Sequence, residues 1–233
     1  SAQLAGLNSA DIVALGSAQV AMLSSTQVAA LTADQVAKLE ATDLAALTPA
    51  ALKGLSAEAM AGLTTAQVAA LTSAQVAALS SAQLAALTST DVAAIESADV
   101  KAISPAALAG LSADQIGQLT PGQVAALGSA QIAALKVDQL AGLSTASIAG
   151  LSSAQVAGLS PAQVAGMTTG QLAAIESADI KALGTAAVRA LSADQLAAMG
   201  SNQFAAFTTA QVGVLNAEQI AGLGTANLNA LGT

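Results

Sequence analysis

The stretch from Thr64 to Leu87 reads TTAQVAAL, TSAQVAAL, SSAQLAAL, and this eight-residue spacing holds along the chain without gaining or losing a residue. A period this strict constrains the fold before composition does, because each unit must make the same local structure and bury its apolar residues against its neighbours. Positions are named here by the remainder when the residue number is divided by eight. Position 7 is Leu from Leu7 to Leu231, except at Ile95, Ile103, Met167, Ile175, Met199 and Phe207. Position 4 is always Val, Leu, Ile, Met or Phe, from Leu4 to Leu228. Position 3 is mostly Gln or Asp, positions 5 and 6 mostly Ala or Gly, and position 0 mostly Ser, Thr, Gly or Asn. A partial unit (1–7) precedes 28 full octads (8–231) and a two-residue stub, so the 233 residues read as one continuous repeat domain.

A strand is excluded first. Positions 4 and 7 differ by an odd number and would point to opposite faces, and Ala, Gln and Gly are poor strand residues. One continuous helix is excluded next, since eight residues at about 100° each leave the apolar stripe drifting by roughly 80° per octad. What survives is one short helix per octad, with Val68 and Leu71 three residues apart on a shared face.

Three signals place the helix start at position 0. The prolines Pro49, Pro105, Pro121 and Pro161 all occupy position 1 and follow Thr48, Ser104, Thr120 and Ser160. That is an N-cap followed by proline at the first helical position, where its missing N–H costs nothing. Gln or Asp three residues after the cap, as in Thr64 with Gln67 or Thr88 with Asp91, matches a capping box. Acids cluster at the start of the unit, and Lys38, Lys53, Lys101, Lys181 and Arg189 lie toward its end, as the backbone dipole favours; only Lys136 departs. Where position 0 is a weak cap (Gly16, Gly128, Glu96, Glu176), the following Ser is expected to take over and shift the boundary by one residue.

Such helices are far below the roughly 12 to 15 residues needed for marginal stability alone, so stacking must supply the rest. The expected fold is all-α: a solenoid of consecutive very short helices, lined by positions 4 and 7, with small residues at positions 5 and 6 where coils meet. The acids Asp34, Glu58, Asp114, Asp138, Asp194 and Glu218 should face solvent. Pro49, Pro105 and Pro161 recur every 56 residues, which suits about three to four octads per coil if equivalent places return every two coils.

Composition narrows function. No Cys means no disulfide, thiol nucleophile or thiolate metal site, and no His removes the commonest general base. A net charge of -8 disfavours nucleic acid, whose binding depends on Lys and Arg neutralising phosphates. Polar residues return in every octad, so no apolar run approaches the roughly 18 residues of a membrane span. The chain opens at Ser1 without a basic segment and apolar run, so no signal peptide is expected within it, as for a segment of something larger.

Candidates for chemistry are few. Ser97 with Lys101 and Ser177 with Lys181 allow a Ser-Lys arrangement, set against a plain helical contact of solvated side chains. The blocks Glu96–Asp99–Lys101 and Glu176–Asp179–Lys181, echoed by Glu40 and Asp43, offer paired acids for calcium, set against a helix-start charge pair; calcium wants six to eight oxygens. Phe204 and Phe207 fill both core positions of one octad, which predicts a locally wider core, with ligand stacking as the alternative. Exposed Ser and Thr rows resemble an ordered hydroxyl face, although capping should consume them. These readings assign no catalytic, cofactor-binding or metal residue.

The phrase Leu119-Thr-Pro-Gly-Gln-Val-Ala-Ala-Leu127 resembles the opening helix of the DNA-binding repeats of transcription-activator-like effectors, over nine residues and without their base-reading loop or basic surface. From Ser1 to Thr233 the chain resembles octapeptide-repeat tracts, rich in LTxxQVAAL, of very large bacterial secreted or surface proteins. That resemblance implies an extracellular, adhesin-like or spacer setting and carries over no functional residues. The expectation is a non-enzymatic structural or adhesive module with a cell-surface or self-association partner. A ligand-binding solenoid is the second reading, with peptide, glycan, small molecule or Ca2+ in its groove or interior.

Overall fold

The computed structural model describes residues 8–231. The partial unit with Leu4 and Leu7, and the closing stub, lie outside the described residues. The chain divides into two compact units, one ending at Leu119 and one beginning at Thr120. Each is built in the same way, from one helix per octad, with 28 helices among the described residues.

The helices are four to six residues long, as in Ser17–Val20 and Ala33–Lys38. Each begins at position 1 behind an extended cap residue. In Thr64–Gln67 the cap hydroxyl accepts from Gln67 N at 3.3 Å, and Thr64 N donates to Gln67 Oε1 at 2.8 Å. The expected boundary shift does not occur. Helices start at Ser17, Ser97, Ser129 and Ser177 behind Gly16, Glu96, Gly128 and Glu176. The reason is visible at Gly16 and Gly128: their N–H groups still donate to Gln19 Oε1 and Gln131 Oε1, at 2.9 and 2.7 Å. The glutamine half of the box therefore holds the boundary without a capping hydroxyl. Length varies only at the helix end.

The corner consists of two extended residues. Leu39 (φ -63°, ψ 141°) is followed by Glu40 (φ -66°, ψ 149°), after which the next helix starts. This is the backbone that a following proline imposes on the residue before it, so the four prolines fit the corner that every octad already makes. No described residue has positive φ, and glycine is therefore not needed at the turn itself.

Successive coils are offset by 28 residues, or three and a half octads. In the first unit, Gln67 and Gln75 donate to carbonyls 28 residues earlier, at Leu39 and Leu47; in the second, Gln155 and Gln163 reach Leu127 and Leu135. Two such turns make the 56-residue proline interval. The half-octad remainder staggers the layers, so the start of one helix lies over the corner of the coil below.

Positions 4 and 7 form the core, as expected. Val36, Leu44, Leu52 and Val76 are buried in the first unit, and Ile132, Leu140, Ile148 and Leu172 in the second. A third row, position 3, is buried as well, whether Gln67, Asp91 or Ala107 stands there. The six acids at position 2, from Asp34 to Glu218, are exposed.

Gly184 caps its helix without a side chain, and nothing lies within 4 Å of a Cβ built on it. Its octad has Ala187 at position 3, like those where Thr48, Ser56 and Ser104 cap Ala51, Ala59 and Ala107. Gly184→Ser is expected to raise stability by about 0.5 kcal/mol, through a new cap and a less flexible unfolded chain. The urea midpoint checks this.

Candidate functional site

The polar chemistry of the molecule is concentrated at position 3. In a capping box only the oxygen of the glutamine amide is used; here both ends are. Gln67 Oε1 accepts from Thr64 N, while Nε2 donates to Val36 O and Leu39 O, both at 2.8 Å. Gln75 repeats the pattern onto Leu44 O (3.0 Å) and Leu47 O (2.8 Å). In the second unit Gln171 does so onto Leu140 O (3.0 Å) and Leu143 O (2.8 Å), and Gln211 onto Ile180 O and Leu183 O (both 2.8 Å). The position 7 carbonyl lies past the helix end with no partner in its own octad, and a buried carbonyl must find one. Where Gln stands 28 residues further on, it supplies that partner from the next coil.

Aspartate at position 3 has no donor and makes a different bond. Ser17 Oγ donates to Asp43 Oδ1 at 2.5 Å and Thr65 Oγ1 to Asp91 Oδ1 at 2.8 Å. Ser73 donates likewise to Asp99, and in the second unit Ser153 to Asp179. Each donor is a position 1 hydroxyl 26 residues earlier. The four carboxylates are buried.

This separates the acid blocks singled out in the sequence. Asp99 and Asp179 turn inward onto hydroxyls of the preceding coil, whereas Glu96 and Glu176 stay exposed at the cap and accept no cap hydrogen bond. The helix-start charge pair is thus corrected on its aspartate side, where the carboxylate joins coils. Among the described residues no group of three or more His, Cys, Asp or Glu is placed to hold a metal ion. Lys101 and Lys181 are exposed, and no hydrogen bond joins them to Ser97 or Ser177.

Phe204 and Phe207 stack on each other, with ring centroids 5.1 Å apart and planes 9° from parallel. Phe204 is buried and Phe207 half-buried, beside a groove of about 380 Å³ that also touches Val212 and Leu231. Elsewhere in the second unit, a groove of about 360 Å³ is lined by Pro161, Thr185, Ala186, Arg189 and Val214. Glu58, fully exposed, is held below the usual glutamate range by a hydrogen bond from its own backbone N–H and another from the Ser56 hydroxyl.

A family model described as the ALTTAQ repeat matches residues 1–33, 36–73, 92–129, 119–145, 132–169, 172–209 and 197–233. The chain belongs to the ALTTAQ repeat family. Read onto the octad, those six letters run from position 6 to position 3, as in Gly62-Leu-Thr-Thr-Ala-Gln67 with glycine at the first place. In an ALTTAQ repeat of this chain they therefore cover the small contact residue, the buried corner Leu, the cap and the bridging Gln. No curated protein matches the chain. No helix among the described residues is long and apolar enough to cross a membrane.

The sequence reading missed the bridging role of position 3. One signal was present: Gln outnumbers Asp there, and Glu, a better partner for a helix dipole, is absent from the position. A group that only had to accept from the cap would not need an amide.

Proposed function

We propose that this tract is a non-enzymatic spacer or scaffold module of a larger bacterial extracellular protein. The observation that carries the reading is the use of the Gln amide. The polar side chain that recurs most is turned inward and spent on joining one coil to the next, while positions 0 to 2, which face solvent, hold mostly small Ser, Thr and Ala residues with charged residues scattered singly among them. A surface of that kind suits separation and presentation better than selective capture. The resemblance to octapeptide tracts of large secreted proteins supports the extracellular setting.

Removal of one complete octad, 72–79, tests it. Because every bond between coils depends on position within the octad, Gln83 in the shortened chain faces the carbonyls of Leu44 and Leu47, which Gln75 serves in the intact one. The expected result is unchanged helical circular dichroism per residue, and a maximum dimension from small-angle scattering that falls in proportion to the octads removed. Loss of folding, or a dimension that ignores octad number, overturns the spacer reading.

The second reading, a ligand-binding solenoid, is favoured by one feature: Arg189, the sole arginine, lines a groove with Pro161 and Val214. A shaped site of that kind loses its ligand when octads beside it are removed; a spacer keeps its properties.

A further inference from the structure

Residues that depart from the octad are scattered along the second unit, and three of them meet at one place. Arg189 is the sole arginine, Val214 is the only β-branched residue at position 6, and Pro161 is one of four prolines. The winding brings them together at the groove of about 360 Å³ that Thr185 and Ala186 complete. Helix Thr185–Ala190 forms its floor, with Pro161 on the coil before and Val214 on the coil after, so the groove is whole within residues 161–214. On the Val214 side the floor is clamped at both ends. Gln211 Nε2 donates to Ile180 O and Leu183 O just ahead of the helix, both at 2.8 Å, and Gln219 Nε2 to Leu191 O just after it, at 2.7 Å. Two polar side chains on the floor are unspent. Thr185 and Arg189 stand four residues apart and share a helix face; both are exposed, and neither side chain makes a hydrogen bond or ion pair among the described residues, in a chain of net charge -8.

We infer that this groove binds the C-terminal carboxylate of a peptide ending in an aliphatic residue. The Arg189 guanidinium presents paired N–H donors that match the two oxygens of a carboxylate, and the Thr185 hydroxyl adds another donor on the same face. Pro161 and Val214 offer apolar surface on either side for the last side chain. Phosphate fits less well, since it carries more charge and no second cation lines the groove. A free small acid fits less well too: four of the five lining residues are exposed, whereas sites for free small molecules enclose most of their ligand. The end of a peptide needs only its last residue held, and the rest runs out over the surface. The proposal gives the ligand-binding reading its ligand class and rests on that reading. The spacer reading is tested apart from it, because octad 72–79 lies in the first unit.

Fluorescence anisotropy of the full chain with an N-terminally labelled pentapeptide, Gly-Ser-Gly-Ala-Leu with a free C-terminus, tests it. Saturable binding is expected, weakened about tenfold when the C-terminus is amidated and several-fold when the last residue is Gly. Arg189→Gln, at an exposed helix position, is expected to bind acid and amide alike, and Arg189→Lys, which keeps the charge without the paired donors, to fall between it and the wild type. Val214→Ala restores the residue common at position 6; it is expected to erase the preference for Leu over Gly and to leave the preference for a free carboxylate. The comparison of acid with amide on the wild-type chain needs no variant to fold. No saturation below about 1 mM peptide, an amide that binds as well as the acid, or Arg189→Gln that binds like the wild type would each overturn the proposal. The first of these removes the ligand-binding reading of the groove with it, whereas the second keeps a ligand site and changes its class. 4-Methylpentanoate, a free acid with the same aliphatic end, is expected to compete about tenfold more weakly than the peptide, and equal competition would assign the groove to free acids instead.

Discussion

Replacing Gln67 by Glu is expected to destabilise the first unit by about 3 to 5 kcal/mol at neutral pH. The substitution is nearly isosteric and leaves the cap acceptor in place. What it changes is the atom 2.8 Å from both Val36 O and Leu39 O, where a donor becomes a carboxylate oxygen at a site only 2% exposed. An ionised carboxylate there meets two acceptors; a protonated one donates to a single carbonyl. Folding therefore favours the protonated form, and the folded-state pKa of Glu at this site lies above its unfolded value of about 4.3. The sign follows: the folded state binds more protons, so the variant loses stability as pH rises from the unfolded to the raised folded pKa, and regains it on acidification. Gln67→Ala is expected to cost less, about 1 to 2 kcal/mol, because it strands carbonyls without adding charge. Ala51, Ala59 and Ala107 already stand in that row. Urea denaturation of the three chains at two pH values checks the order, and a Glu variant as stable as the Ala variant at neutral pH would remove the bridging role from the glutamine.

The second large effect is steric. A Cβ on Gly54 would sit 2.1 Å from Ser25 O and 2.9 Å from its carbonyl carbon, both backbone atoms of the coil 29 residues earlier. Gly54→Ala is expected to cost about 1 to 3 kcal/mol, since the coils must part locally and backbone cannot rotate away. Gly166 offers a control. A Cβ there meets Val137 Cγ1 at 2.1 Å, again 29 residues earlier, but this is a side-chain methyl on a residue 40% exposed. Rotation of Val137 relieves the contact, and Gly166→Ala is expected to cost less than half as much. Amide exchange around Ser25 and around Val137 reads the two effects separately. Equal protection loss at both sites would mean that glycine at position 6 is not there for close approach.

Both predictions concern contacts between coils, and these are where the sequence was least legible. The helix at each octad, its start at position 0, the two apolar rows and the exposed acids at position 2 all follow from neighbours within eight residues. The corner was legible through Pro49 and Pro105, whose fixed φ and constraint on the preceding residue describe the extended turn that every octad makes. The expected cap shift at Gly16 and Glu96 failed because it treated the cap side chain as the anchor of the boundary. At Gly16 the anchor is Gln19, and it acts across the same turn whether or not a hydroxyl faces it. Phe204 and Phe207 were placed in a widened core; they stack on each other, and only Phe204 is fully inside.

The sequence by itself determined the unit: an α-segment of one turn or slightly more, its start, its inward face and the three-to-four-octad range for a coil. Those are short-range matters of capping, dipole and periodicity, decided by residues that touch along the chain. Tertiary structure alone decided the 28-residue offset, the second use of buried Gln amides such as Gln67, the inward turn of Asp43, Asp91, Asp99 and Asp179, and which glycines lie against backbone. Each depends on which residue sits one coil below. A carbonyl left open at a helix end does not name its donor until the winding brings one to within 3 Å.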